Sequence, residues 1–171
     1  MKLNLASGSD YKLGFLNLDI VQWPRYPEPD IYWDLRSGLL PFFDNTVEEV
    51  YCGYTLLHAM PRYRFSLLNE IYRVLIPTGK AVFSEVDMRL AMKRWLENPR
   101  DMSYNELIWG ELGSIHGEEF AEWDTHHHGY CQETLTEELI KHNFIDLNRV
   151  NVHDPGVWYE LTIVCKKGKN E

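Results

Sequence analysis

Short apolar runs, each broken by glycine, proline or acid, lay out the first half of the chain. Lys2-Leu3-Asn4-Leu5 reads as a brief strand that is interrupted at once by Ala6-Ser7-Gly8-Ser9-Asp10. A second run, Phe15 to Ile20, carries Asp19 near its end. The prolines between Trp23-Pro24 and Pro29 remove backbone donors and predict a loop. Ile31 to Leu35 reads as a third strand with Asp34 near its end, and Val47 to Tyr54 as a fourth, centred on Val50, Tyr51 and Cys52. Between them, Gly38 to Asn45 is an apolar loop closed by an Asp44-Asn45 turn.

The period then changes. From Tyr63 to Leu75, the residues Phe65, Leu68, Ile71, Tyr72 and Leu75 fall on one helical face, and Pro77 and Gly79 stop the helix. Ala81 to Val86 is a mostly apolar run, as expected of a strand covered on both faces. Arg89 to Leu96 is helical and ends before Asn98-Pro99. Thr134 to His142 predicts a further helix, with Thr134 as N-cap and Glu137 completing a capping box. Ile145 to Val152 and Trp158 to Cys165 read as two late strands, with a turn at Pro155-Gly156. Alternating strands and helices followed by two adjacent strands predict an α/β fold, a mostly parallel sheet with a C-terminal antiparallel hairpin. The interval from Gly8 to Asp19 is too short for a full crossover helix, so a reduced helix or turn is expected there.

The length of 171 residues predicts one domain over 1–171, with 100–129 as an irregular insertion rich in glycine, histidine and acid. No apolar run approaches the roughly 18 residues that span a bilayer, and Met1 is followed by a strand rather than a leader. Cysteines 52, 131 and 165 are too sparse for a disulfide framework, and a cytoplasmic location is expected. A net charge of -9 argues against a nucleic-acid partner, which would need a basic face. Lys93-Arg94 and the tail Lys166-Lys167-Gly168-Lys169 are the basic clusters, and the tail reads as a solvated, frayed terminus. A small acidic domain with many aromatics is also compatible with a homodimer.

Strand, glycine-containing turn, and a second strand ending in an acid make a nucleotide pocket. Glycine at position 8 lets backbone approach a ligand, and Asp19 can accept hydrogen bonds from both ribose hydroxyls. Against this stand a plain tight turn for Gly8, an N-cap for Asp19 and an Arg36 partner for Asp34. Trp23, Tyr26 and Tyr32 either cap the base or pack the prolines.

Several pieces in order resemble a small class I S-adenosylmethionine-dependent methyltransferase of the type 11-like kind. They are Leu3-Asn4-Leu5-Ala6-Ser7-Gly8-Ser9, Asn17-Leu18-Asp19-Ile20, Asp34-Leu35, Leu40-Pro41-Phe42, Leu56-Leu57-His58, Glu70-Ile71-Tyr72-Arg73-Val74-Leu75 and Pro77-Thr78-Gly79-Lys80. The resemblance implies a Rossmann-like sheet with S-adenosylmethionine across the carboxyl ends of the first strands. The backbone of Ala6, Ser7, Gly8 and Ser9 would lie against the methionine moiety. Asp19 would take the ribose hydroxyls, Ile20 would pack on the adenine, and Asp34 with the Leu35 amide would meet the adenine amino group. Gly53 and Tyr54 would complete the wall near the sulfonium. The family usually has glycine where Ala6 and Thr78 stand, and histidine and glutamate where Tyr54 and Leu57 stand.

For catalysis the candidates are His58, Asp87 and His126. His58 serves as a general base, an orienting group, or merely a packed histidine at a helix start. Asp87 follows the fifth strand. His126 heads the run His126-His127-His128, which with His116 and Asp124 invites a metal reading; adjacent histidines point apart, so no metal site is expected. A lid over the acceptor, lined by Trp109, Trp123, Tyr130 and these imidazoles, is the alternative to a solvated loop. The reading is methyl transfer to an oxygen or nitrogen of a small-molecule or glycan-linked acceptor. A cofactor-binding relative without transferase activity is the second reading. A dehydrogenase is disfavoured by the missing Gly-x-Gly-x-x-Gly.

Overall fold

The computed structural model describes residues 1–100, 125–150 and 159–168. Its strands are β1 (Lys2–Leu5), β2 (Leu16–Asp19), β3 (Ile31–Tyr32), β4 (Val47–Gly53), β5 (Leu75–Val86), β6 (Phe144–Val150) and β7 (Glu160–Lys167). They form one sheet in the order β3-β2-β1-β4-β5-β7-β6. The first five run parallel, whereas β7 is antiparallel to both β5 and β6 and wedges between them. The helices among the described residues are α1 (Pro61–Val74), α2 (Met88–Glu97) and α3 (Gln132–Lys141). The expected α/β architecture is therefore present, with its C-terminal strands paired antiparallel.

Register divides the sheet into two unlike faces. Leu3, Leu5, Leu18, Val50, Cys52, Ala81, Phe83 and Ile163 share one face and are packed under Leu67, Leu68, Ile71 and Val74 of α1 and Leu135 and Leu139 of α3. The other face carries Asn17, Asn4 and Tyr51 in one rung and Ser84 and Thr162 in the next. The first crossover, residues 6–15, is made of bends and turns, shorter than the about a dozen residues a parallel connection usually takes. Asn17 does the helix's work on that polar face. Its side chain donates to the Lys12 and Phe15 carbonyls at 3.1 and 3.0 Å and accepts from the Lys12 amide at 2.8 Å and from Asn4 at 2.8 Å.

Several local expectations are corrected. The third strand ends at Tyr32, and Asp34 is instead the N-cap of a 3-10 turn, Leu35–Ser37. Helix α1 stops at Val74 because the strand begins at once; Thr78 and Gly79 form a bulge inside β5 rather than a helix stop. Phe65 is 61% exposed and meets the His142 ring edge-on at 4.7 Å, off the buried face. Thr134 is the N3 partner of the capping box, its hydroxyl accepting from the amide of the true N-cap, Cys131, at 3.0 Å. The Pro155-Gly156 turn lies outside the described residues.

The basic tail is not frayed through Lys167. This lysine is 3% exposed, and its ammonium donates to Leu75 O at 2.8 Å, Arg73 O at 3.3 Å and Asn45 Oδ1 at 2.8 Å. It thus satisfies carbonyls at the C-terminal end of α1, where the helix dipole favours a cation. Burial lowers its pKa from the ordinary lysine value.

Candidate functional site

The carboxyl ends of β1, β2 and β4 meet at one edge, and the turns that leave them build the site. Ser7 N donates to Leu18 O at 2.9 Å, so the turn after β1 is tied to β2. Asp19 binds this turn from below. Its Oδ2 accepts the Gly8 amide at 2.8 Å, and its Oδ1 accepts the Ile20 and Val21 amides at 2.7 and 3.3 Å. A carboxylate offers about four lone-pair directions, so one on Oδ2 remains for a ligand hydroxyl. Above Gly8 there is room: the atoms nearest to an added Cβ would be Ala6 O at 3.8 Å and Trp23 Nε1 at 4.0 Å.

Ala6 and Gly8 both adopt left-handed backbone, with φ of 49° and 48°. That explains in physical terms why glycine is the residue expected where Ala6 stands; the same holds at Thr78, with φ of 65°. The alanine methyl costs about 1 kcal/mol in that conformation. Ala6→Gly is therefore expected to raise the midpoint of thermal unfolding by a few degrees without weakening ligand binding, as read by calorimetric scanning. A fall in the midpoint would show that the methyl makes a packing contact worth more than the strain.

Tyr54, at φ 50°, is a bulky residue in the same strained region, at the point where β4 ends. Its amide donates to Ser84 O at 2.6 Å. Thr55 then locks the edge together, its hydroxyl reaching Leu5 O at 3.3 Å and Gly53 O at 3.0 Å. Gly53 itself is required by close approach, since an added Cβ would lie 2.5 Å from the Tyr51 ring.

Glu85 holds the turn that follows. It is fully buried in β5, and its two oxygens accept the Leu56 and Leu57 amides at 2.9 and 3.2 Å. Burial pushes its carboxyl up to about 8, against the opposing pull of those amides. A carboxyl raised in the folded state stabilises the fold fully below its unfolded value, near 4.5, and that contribution is lost as pH rises through about 8. Denaturant unfolding between pH 5.5 and 8.5 is thus expected to show falling stability, with a flatter slope in Glu85→Gln. An equally steep slope in the variant would place the titrating group elsewhere. The acid inside the apolar run Ala81 to Val86 was the sequence signal for this residue, together with Thr55 a part of the site that pattern reading missed.

The remaining candidates are spread around this edge. Asp34 directs both carboxylate oxygens to Arg36, at 2.9 to 3.2 Å, and holds the Leu35 turn by capping it. Asp87 is buried, caps α2 through the Leu90 amide at 3.3 Å and pairs with Arg149 at 3.1 Å. His58 follows the Glu85-held turn and lies edge-on to His126 at 4.8 Å between ring centres. Its Nδ1 sits 3.3 Å from Thr125 O; a carbonyl can only accept, so the proton is on Nδ1 and the lone pair on Nε2. Burial, then the neighbouring His126, depress its pKa to about 3, so the ring is neutral near pH 7. The amides of His127 and His128 both donate to Leu57 O, at 2.7 and 3.1 Å, which docks residues 125–130 against the same turn. Among the described residues no three His, Cys, Asp or Glu side chains gather as a metal site. The lid candidates Trp109 and Trp123, and His116 and Asp124 of the metal reading, lie outside the described residues.

No family model matches the chain, and no curated protein matches it. Solved structures do. A S-adenosylmethionine-dependent methyltransferase from Methanosarcina mazei superposes with a TM-score of 0.63 at 16% identity, covering 99% of this chain and 92% of that one. A possible histamine N-methyltransferase from Thermotoga maritima gives 0.63 at 14%, covering 97% and 81%. The Burkholderia thailandensis 1,6-didemethyltoxoflavin-N1-methyltransferase, solved with that substrate and S-adenosylhomocysteine, gives 0.61 at 17%, covering 98% and 71%. The chain therefore has the fold of the class I S-adenosylmethionine-dependent methyltransferases. Among the described residues no helix is long and apolar enough to cross a membrane.

Proposed function

We propose that this protein transfers a methyl group from S-adenosylmethionine to an oxygen or nitrogen of a small-molecule or glycan-linked acceptor. The observation that carries the reading is the open left-handed turn Ala6–Gly8, held by Asp19 at the carboxyl edge of a sheet that superposes on solved methyltransferases. When bound, the cofactor supplies an electrophilic methyl group on a sulfonium. Ala6, Ser7, Gly8 and Ser9 would receive its amino-acid end on backbone, and the remaining lone pair of Asp19 Oδ2 would take a ribose hydroxyl. Ile20 would pack on the adenine, with Asp34 and Leu35 at its far edge and Gly53 and Tyr54 beside the reacting centre. Direct transfer depends chiefly on holding donor and acceptor in line and dry. For a neutral hydroxyl or amine, His58 would be the candidate base, its ring edge-on to His126.

A second reading, cofactor binding without transfer, is favoured by a specific observation. Asp87 is engaged by the Leu90 amide and Arg149, and burial leaves His58 a weak base. Incubation with methyl-labelled S-adenosylmethionine and a panel of amine and hydroxyl acceptors separates the two. Label in the acceptor with release of S-adenosylhomocysteine is expected; tight cofactor binding with no label in any acceptor would favour the second reading.

A further inference from the structure

The reduced first crossover changes the electrostatics of the site. An anion at the carboxyl edge of an α/β sheet is ordinarily met by the N-terminus of the helix that follows the first strand. Residues 6–15 form no helix, so no such dipole faces the edge there. The segment offers a pair of opposite charges instead, with Lys12 Nζ 2.7 Å from Asp10 Oδ2. Two buried asparagines fix the backbone of both residues. Asn4 Nδ2 donates to Asp10 O at 2.7 Å; Asn17 accepts the Lys12 amide at 2.8 Å and donates to the Lys12 carbonyl at 3.1 Å. The Asp10 amide donates to Ser7 O at 2.7 Å, which ties the pair to the glycine turn. The Lys12 ammonium stands 3.9 Å from the centre of the Tyr51 ring, and that ring lies against Gly53, where β4 ends. The pair thus sits between the Ala6–Gly8 turn and the end of β4, the walls that the amino-acid end and the sulfonium of the cofactor would touch. Side-chain exposures of 22% for Lys12 and 50% for Asp10 leave both heads within reach of a ligand. An ammonium has N–H groups to spare beyond one ion pair, and a carboxylate has lone pairs to spare.

We propose that Asp10 and Lys12 together bind the zwitterionic end of the cofactor's methionine, Lys12 taking the α-carboxylate and Asp10 the α-ammonium. This rests on the methyltransferase reading and adds two side chains to the backbone contacts of Ala6 to Ser9. The match is one of charge order: a pair of opposite heads faces a ligand end with the opposite heads, and each charge gains a partner without the pair having to part. Asn4, Asn17 and Tyr51 hold the pair before the ligand arrives, so little side-chain freedom is left to lose on binding. An adenosine ligand without the amino-acid end makes neither contact. The pair therefore selects S-adenosylmethionine and its demethylated product over truncated adenosine thioethers.

Calorimetry with three ligands that share the adenosine tests this. They are S-adenosylhomocysteine, its decarboxylated analogue, which keeps the amine, and 5′-methylthioadenosine, which has neither group. Wild type is expected to bind S-adenosylhomocysteine about a hundredfold more tightly than 5′-methylthioadenosine, with the decarboxylated analogue about midway. Lys12→Met keeps an unbranched stem beside Tyr51 and removes the charge. It is expected to weaken S-adenosylhomocysteine about tenfold, erasing its advantage over the decarboxylated analogue, and not to weaken the other two ligands. Asp10→Asn is expected to weaken the decarboxylated analogue about tenfold and to leave 5′-methylthioadenosine unchanged. A merely structural pair would weaken all three ligands alike in both variants, and that result would overturn the proposal. So would a Lys12→Met protein that still prefers S-adenosylhomocysteine to the decarboxylated analogue by the wild-type factor. Wild-type protein that binds 5′-methylthioadenosine as tightly as S-adenosylhomocysteine would overturn it too, while leaving the adenosine site and the methyltransferase reading intact. Binding of none of the three by folded protein would remove that reading and the proposal with it.

Discussion

Arg73→Ala is expected to lower the unfolding free energy by about 3 kcal/mol, a large fraction of the stability of a domain this size. The guanidinium gives Nε and NH2 to the two oxygens of Glu70, at 2.6 and 2.7 Å. Its remaining protons reach Asp44 at 2.6 Å and the carbonyls of Phe42 and Leu40 at 2.9 and 3.1 Å. Glu70 in turn accepts the Leu40 amide at 2.6 Å. One helix-borne pair thus fixes the whole Leu40-Pro41-Phe42 loop, which has no sheet of its own to satisfy its backbone. Truncating the arginine leaves the 7%-exposed Glu70 without its counter-charge and strands the Phe42 carbonyl, while Leu40 O keeps the Phe42 amide at 2.8 Å. Arg73→Lys should recover only part of the loss, because an ammonium cannot reproduce the forked geometry. Urea unfolding measures both; a loss below about 1 kcal/mol for Arg73→Ala would mean the network is a surface ornament.

Asp19→Ala is expected to weaken S-adenosylhomocysteine binding about a hundredfold, and to cost about 2 kcal/mol of stability. The two effects share a cause. Asp19 is 5% exposed and holds the Gly8, Ile20 and Val21 amides, so its removal frees three backbone donors and releases the turn that would face the cofactor. Asp19→Asn should fall between, since it keeps one acceptor oxygen but turns an NH2 toward an amide. Calorimetry on variants first shown to be folded by circular dichroism reads the binding part. An Asp19→Ala protein that binds as wild type would remove Asp19 from the cofactor site.

Elements set by local pattern were readable from sequence. The apolar period of α1 places Leu68 and Ile71 inside, the prolines between Trp23 and Pro29 interrupt regular structure, and the short Gly8–Asp19 interval announces a crossover without a helix. What was hidden depends on long-range partners. Thr134 looks like an N-cap until Cys131 is seen to precede it in the right conformation. Lys167 looks like a solvated tail until β7 is wedged between β5 and β6, which carries its ammonium to the end of α1. Asp34 reads as a strand-end acid with Arg36 as its alternative partner, and the alternative holds, in a 3-10 turn that the pattern did not show.

The turn after β1, held by Asp19, is expected to receive an adenosine-containing sulfonium cofactor or its demethylated product. Titration of S-adenosylhomocysteine into the folded wild-type protein by isothermal calorimetry measures this binding. One-to-one binding with a dissociation constant of about 10 μM or tighter is predicted, accompanied by a rise in melting temperature. No heat of binding and no thermal shift at about 1 mM ligand, in a sample shown to be folded, would contradict it.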